Sequence, residues 1–196
     1  DVVAAMESNG FVVSMVPLSC EKLDALSRRS TSGRPLVVIG TDKGNAFRWR
    51  LDAAHELGHM ILHGSLERGD EARSDMSKLI EGQAFRFAGA FLMPRDALYR
   101  ELRGGTLDSF LALKMRWGMS VQAMVRRASD IGLLTDQQYQ NLYVGISKRK
   151  WRSVEPYDSD RLPERPTLLR TCLTTCVEQC GISAGQILGE TGVPED

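Results

Sequence analysis

The stretch that decides the fold is Ala54-His55-Glu56-Leu57-Gly58-His59-Met60-Ile61-Leu62-His63, which contains all three histidines of the chain. On a helix, residues four apart are turned by about 40° and raised by about 6 Å, so His55 and His59 present their imidazoles side by side. Two neutral imidazoles at that spacing can bind one Zn²⁺. Glu56 follows the first of them and can reach a metal-bound water without being a ligand itself. The spacing therefore predicts a hydrolytic metal site, and the alternative is a chance pattern in an ordinary helix.

A catalytic zinc needs a third protein ligand and an open position for water. The metzincin arrangement requires glycine at position 62 and histidine at position 65, but the chain has Leu62 and Ser65 there, which excludes that class. The remaining choice is a carboxylate that follows the helix. The candidates are Glu67, Asp70, Glu71, Asp75 and Glu81.

Helical phase favours Glu81 as the third ligand. It shares a stripe with Ala84, Phe85 and Ala88, so we expect its side chain to face the core. Burial of an unpaired carboxylate costs several kcal/mol, and a cation removes that cost. The other four candidates lie in a polar stretch, where solvation explains them. The alternative for Glu81 is a glutamate near a helix start that the helix dipole favours.

Two further polar residues lie on the histidine helix. His63 is about 12 Å further along the helix than His55, too far for the same metal. We expect it to pack beside the site or to contact the substrate. Asp52 lies one turn before His55, where it can orient the second nitrogen of that ring, and a surface role for Asp52 is an equal alternative.

The apolar periodicity predicts an α+β fold that is mostly helical, with a small sheet beside the histidine helix and a helical region after it. We expect a substrate to bind as an added edge along the strand at 36–39, which precedes the histidine helix. The predicted strands are 11–16 and 36–39, and the predicted helices are 1–9, 20–28, 46–63, 77–93, 107–117, 120–131 and 135–147.

Composition changes after residue 147. Residues 148–166 contain Pro156, Pro163, Pro166 and several charges, which predicts a linker. We expect residues 1–147 to form the catalytic domain and residues 167–196 a small appendage with helices at 167–180 and 183–190. The abrupt start at Asp1 predicts that an N-terminal part is missing.

The overall charge and the cysteines set broad limits. Twenty-five basic residues balance twenty-five acidic ones, so nothing global indicates a polyanionic partner. No apolar run approaches the roughly 20 residues of a membrane-spanning helix. Cys20 is isolated, which favours a reducing, cytoplasmic setting over a disulfide framework. The other cysteines share one helical face, for which we expect a core position, with redox or metal sensing as the alternative: Cys172, Cys176 and Cys180.

A second class of function is a helical regulatory module that binds DNA or protein and has a structural or inactive metal site. The helices around Trp117-Gly118-Met119-Ser120 loosely resemble a helix-turn-helix, and Arg126 and Arg127 could meet phosphate. Arginines on a helix are more often a solvated face, and the cluster 148–152 fits an acidic protein partner equally well. We therefore expect neither a membrane nor direct nucleic-acid binding for this segment.

These motifs resemble the ImmA/IrrE family of metallo-endopeptidases, HExxH zinc peptidases of the gluzincin-like type. The resemblance covers roughly residues 10–157. It rests on Ala54-His55-Glu56-Leu57-Gly58-His59 with Leu62-His63, on Glu81-x-x-Ala84-x-x-Phe87-Ala88-x-x-x-Leu92-Met93-Pro94, on Trp117-Gly118-Met119-Ser120-Val121-x-Ala123, on Gly132-Leu133-Leu134, and on Trp151-Arg152 with Glu155-Pro156.

The resemblance implies a zincin-like catalytic domain with Zn²⁺ held by His55, His59 and Glu81, and with Glu56 as general base. It also implies a cytoplasmic regulator that cleaves a helix-turn-helix repressor, often with such a domain fused at its N-terminus. One departure is Phe85, where the family commonly has asparagine, and another is Lys150, where glycine is frequent.

The expected chemistry is hydrolysis of a peptide bond by metal-activated water, with Glu56 taking and then passing on the proton. A second donor to the developing oxyanion is not identified by any motif. The candidates are Tyr99, Arg48 and His63.

Overall fold

The computed structural model describes residues 1–20, 23–42, 44–64, 74–183 and 185–186. Within these ranges the fold is α+β and mostly helical, with one small sheet, as the sequence predicts. The strands are β1 (Val12–Val16), β2 (Ala25–Arg29) and β3 (Pro35–Gly40). The helices are α1 (Val2–Ser8), α2 (Ala46–Leu62), α3 (Ser74–Leu92), α4 (Arg95–Glu101), α5 (Leu107–Trp117), α6 (Val121–Asp130), α7 (Asp136–Lys148) and α8 (Leu168–Cys180).

The predicted helix over 20–28 is wrong, because Ala25–Arg29 form strand β2. A turn follows β2, in which the Ser30 amide donates to Arg34 O at 2.8 Å and Gly33 has a φ of 80°. This turn folds the chain back into β3, and the antiparallel pairing of β2 with β3 satisfies the backbone. The pairing is a tertiary contact that local spacing does not reveal.

The strand order is β1-β3-β2, with β1 parallel and β2 antiparallel to β3. The strand expected to receive a substrate, β3, is therefore the central one, and that expectation is wrong. The Gly40 amide donates to Asp24 O at 2.8 Å, so Asp24 directs its backbone toward β3. Because direction alternates along an antiparallel strand, Ala25, Ser27 and Arg29 direct their backbone groups toward the outer edge of β2.

Helices α2 and α3 pack closely at Gly58. A Cβ at this position would lie 3.0 Å from Phe87 Cδ1 and 3.2 Å from Ala84 O, so a larger residue would require these neighbours to shift by a few tenths of an ångström. On α3, the residues that face the core are Ile80, Ala84, Ala88 and Leu92. The Asn45 side chain accepts from the amides of Phe47 and Arg48 and thereby fixes the start of α2.

Helices α5, α6 and α7 form where the sequence predicts them, whereas α4 was not predicted. Helix α4 starts directly after Pro94, its N-terminal cap residue. Proline can also precede a helix, because its fixed φ suits the first turn. Helix α3 begins at Ser74, three residues before the predicted start at 77 and inside the polar stretch that contains Asp75. Residues 65–73 of that stretch lie outside the described residues.

The proline-containing segment 148–166 is anchored to α5 and α6 by a buried ionic cluster. Lys114 of α5 is fully buried, and its Nζ lies 2.9 Å from Glu155 Oε2 and 2.5 Å from Asp158 Oδ1. The Glu155 carboxylate also accepts from the amides of Val121 at 2.8 Å and Gln122 at 3.0 Å, at the start of α6. One carboxylate thus neutralises a buried cation and caps a helix.

Helix α8 confirms the predicted helix over 167–180, but its cysteines are not in the core. Cys172 and Cys180 are exposed and Cys176 is half-buried. The helix contacts β1 and has no buried residue, so the apolar row was mistaken for a core face. Most of the helix expected at 183–190 lies outside the described residues. Among the described residues, no helix is both long and apolar enough to cross a lipid bilayer.

Replacement of Lys114 by methionine, which keeps most of the side-chain length but removes the charge, should lower the free energy of unfolding by about 3–5 kcal/mol, because Glu155 and Asp158 lose their buried cation. Urea denaturation followed by circular dichroism measures this. The matched control is Arg116→Met on the same helix, whose exposed pair with Glu101 should contribute at most about 1 kcal/mol. Equal losses in the two variants would contradict the role of the cluster.

Candidate active site

Three side chains converge between α2 and α3. His55 Nε2 and His59 Nε2 lie 3.0 Å apart. Glu81 Oε2 is 3.2 Å from His55 Nε2, and Glu81 Oε1 is 3.4 Å from His59 Nε2. Within the described part of the chain, no other group of three histidine, cysteine or acidic residues brings its ligand atoms within 4.8 Å of one another. The structure therefore brings together the three residues that the sequence predicts as metal ligands.

The spacing of these atoms suits a small divalent cation. In tetrahedral zinc sites with bonds of about 2.0–2.1 Å, neighbouring ligand atoms are about 3.3–3.4 Å apart. The observed separations, 3.0, 3.2 and 3.4 Å, are close to this value. Two imidazoles and one carboxylate are also a donor set that zinc accepts. The residues present thus fit the metal.

The environment of His55 favours its neutral form. Burial lowers the pKa of the His55 imidazole below its ordinary value, the neighbouring His59 lowers this pKa further, and the Glu81 carboxylate opposes both. A neutral imidazole has a free lone pair, which is the form that binds a metal.

Glu81 contacts the histidines from a position on α3 that differs from the one expected. Its side chain is 51% exposed and does not face the core. Ile80, one residue earlier and 100° around the helix, occupies the core stripe instead, and Glu81 lies at its edge beside α2. Of the rejected alternatives, Asp75 is exposed in the first turn of α3, and residues 67, 70 and 71 lie outside the described residues.

Glu56 lies on the same helix as the two histidines and is only 7% exposed. Burial raises the pKa of its carboxyl group, the negative charge of Glu81 raises this pKa further, and a side-chain hydrogen bond with Ser27 opposes both. The Ser27 hydroxyl donates this bond to the carboxylate. Sequence reasoning missed Ser27 because it assigned residue 27 to a helix, whereas β2 directs it toward α2.

A groove of about 760 Å³ runs between β2 and the pair α2 and α3. Phe85, one of the two departures from the family pattern, lines it, and its ring centroid lies 4.1 Å from that of His55. The groove is lined by residues of β2 and its approach (Leu23–Arg29), of α2 and its C-terminal end (Asp52, His55, Glu56, His59, Met60, His63, Gly64) and of α3 (Ser77, Ile80, Glu81, Phe85).

His63 and Gln83 lie behind His59. The Nδ1 atoms of His63 and His59 are 3.3 Å apart, and His63 Nε2 is 2.8 Å from Gln83 Oε1. His63 thus packs beside the site, as the sequence predicts. Gln83 was missed, since no motif or spacing marks it.

Asp52 lines the groove, but the contact expected of it is not present. His55 Nδ1, the nitrogen that Asp52 was predicted to orient, is buried and has no hydrogen-bond partner among the described residues.

Two of the three candidate oxyanion donors, Arg48 and Tyr99, do not line the groove. Arg48 pairs with Asp24 at 2.8 Å, and Tyr99 is 71% exposed on α4. His63 alone of the three lines the groove as described. The phosphate contact considered for Arg127 is also wrong, because its guanidinium is buried and donates to Met93 O at 3.2 Å.

The family model of Peptidase_M78, the IrrE N-terminal-like domain, matches residues 7–129. The chain belongs to this family. The matched range contains β1 to β3, α2 and α3, and therefore the whole cluster of His55, Glu56, His59 and Glu81. Peptidase_M78 is a metallopeptidase family, which confirms the resemblance that the motifs indicated. A comparison with curated proteins finds no match.

We expect the purified protein to retain about one zinc per chain after dialysis, and Glu81→Ala to lose most of it, because two imidazoles alone leave the site incomplete. Atomic emission spectrometry measures the metal content. Asp75→Ala is the matched control on the same helix and should retain zinc. Retention by Glu81→Ala together with loss by Asp75→Ala would assign the third ligand to the rejected candidate.

Proposed function

We propose that this protein is a zinc-dependent endopeptidase that cleaves a partner protein. The observation that carries the proposal is the position of Glu56, a buried carboxylate with a raised pKa beside the cluster of two imidazoles and a third carboxylate. All of these groups line one groove that runs along a strand edge. We also propose that residues 1–147 carry the catalytic groups, and that 148–166, although anchored to α5 and α6 by Glu155 and Asp158, links them to the appendage at 167–196.

His55, His59 and Glu81 would hold the metal. When bound there, Zn²⁺ supplies Lewis acidity toward water and toward the carbonyl oxygen of the substrate. The neutral form of His55, which burial favours, leaves the ring free to donate its lone pair.

Glu56 is the general base in this proposal. Its carboxylate takes a proton from the attacking water and later passes it to the leaving amine nitrogen. Burial raises the pKa of Glu56, which makes the carboxylate a stronger base. The Ser27 hydroxyl donates to the same carboxylate and holds it toward the groove.

The outer edge of β2 is where we place the substrate. This edge pairs with no other strand in the ranges that the structure describes. Ala25, Ser27 and Arg29 direct their backbone groups to it, and an extended peptide can pair with such an edge as an added strand. The peptide would then lie between β2 and the ligands on α2, with its backbone near Glu56.

A helix-turn-helix repressor is the substrate that we propose, in a cytoplasmic setting. The resemblance to regulators of the ImmA/IrrE type supports this choice. The groove itself supports only the broader statement that the substrate is an extended segment of a protein, since its lining combines apolar, acidic and basic groups.

Replacement of Glu56 by glutamine should lower kcat/KM by about 10²–10⁴-fold, because the amide cannot accept the proton from water. The zinc content should stay unchanged, since Glu56 is not a ligand. A peptide library made by digesting a proteome, analysed by mass spectrometry, reports cleavage whatever sequence the enzyme prefers, and a purified helix-turn-helix repressor is the second substrate. A glutamine variant that cleaves at the wild-type rate would refute the role of Glu56.

Hydrogen exchange tests the substrate position. In the Glu56→Gln chain mixed with the peptide that the wild type cleaves best, the amides of Ala25, Ser27 and Arg29 should gain protection. Leu26 and Arg28 serve as internal controls, because their backbone groups already face β3. Protection at the controls alone, or no change along β2, would exclude strand addition at this edge.

A further inference from the structure

We propose that His63 and Gln83 position the metal ligand His59 by fixing which of its ring nitrogens carries the proton. The inference rests on the proposed metal site and assigns a role to two residues that do not bind the metal themselves. It follows from a chain of two contacts, one between the rings of His59 and His63 and one between His63 and Gln83.

When both rings are neutral, the two contacts allow one consistent assignment of protons. Gln83 Oε1 can only accept, so His63 Nε2, 2.8 Å away, must carry a hydrogen. In a neutral ring His63 Nδ1 is then an acceptor, and it faces His59 Nδ1 at 3.3 Å. His59 Nδ1 must therefore donate. This leaves the lone pair of His59 on Nε2, the nitrogen that faces His55 and Glu81.

The backbone holds His63 in place for this contact. His63 is the C-terminal cap of α2, and its amide donates to His59 O at 2.8 Å. Its ring is half-buried and stays beside the ring of His59, with 5.4 Å between the centroids. Gln83 lies on α3, so the contacts from His59 through His63 to Gln83 link α2 to α3, in addition to the contacts of Glu81.

The two ligand histidines are supported differently. His55 Nδ1 has no hydrogen-bond partner among the described residues, and this ring is held by burial and by the ring of Phe85. The side chain of His59 is more exposed, at 19% against 11%, and its Nδ1 lies 3.3 Å from His63 Nδ1. Loss of that partner should therefore weaken metal binding through His59. Partners of this kind typically contribute 10–100-fold to metal affinity.

The test is the zinc affinity of the full chain, measured by competition with a chromophoric chelator. His63→Leu removes the acceptor and should weaken zinc binding by about 10–100-fold. His63→Asn is the matched variant, because its side-chain oxygen can accept at the position of Nδ1, and it should restore most of the affinity. Gln83→Leu keeps the His63 ring but removes the acceptor that fixes the proton on its Nε2. This variant should also weaken zinc binding.

Two further readouts separate positioning from folding. The thermal unfolding of the metal-free variants should match that of the wild type, and the visible absorption of Co²⁺-loaded His63→Leu should keep the intensity of a four-coordinate site. If His63→Leu does not fold, Gln83→Leu carries the test, because it leaves both histidines unchanged.

Wild-type affinity in both leucine variants would overturn the inference. Equal weakening in His63→Leu and His63→Asn would also overturn it, since the size of the ring would then matter and not its acceptor. A wild-type chain that binds zinc but cleaves no peptide would contradict the proposed function and leave this inference standing. A wild-type chain that binds no zinc would contradict both.

Discussion

The close approach of α2 and α3 at Gly58 is the constraint on which the site depends. Gly58 lies one residue before His59, and Ala84, its neighbour across the interface, lies three residues after Glu81. Because no side chain separates the helices here, the carboxylate of one helix reaches both imidazoles of the other at 3.2 and 3.4 Å. A larger residue at position 58 would require the Phe87 ring or the backbone of α3 at Ala84 to shift by a few tenths of an ångström.

Burial shifts the pKa values of His55 and Glu56 in opposite directions, and in both groups it favours the neutral form. It lowers the pKa of His55, whose neutral ring can bind a metal, and it raises the pKa of Glu56, whose carboxylate becomes a stronger base. The Ser27 hydroxyl limits the second effect. The same packing of β2 on α2 that creates the groove therefore also tunes the groups in its wall.

The sequence was most informative where chemistry and helical period coincide. The spacing of His55 and His59 predicted both the helix and the side-by-side placement of the two rings, because four residues return to one face. Glu81 was predicted for an incorrect reason, since period alone does not distinguish the core stripe from its edge. Ser27 could not be predicted, because the strand that carries it forms only by pairing with β3. Gln83 could not be predicted either, because its role comes from a contact with His63 on another helix. The cysteines of α8 were expected in the core but are exposed or half-buried. Apolar spacing shows that residues share one helix face, but it does not show whether another element covers that face.

The most direct test of the metal site is X-ray absorption at the zinc edge of the wild-type chain. We expect only nitrogen and oxygen neighbours at about 2.0–2.2 Å, with the multiple-scattering pattern of two imidazoles. Sulfur neighbours at about 2.3 Å would place the metal on the exposed thiols of α8 instead, and would contradict the site between α2 and α3.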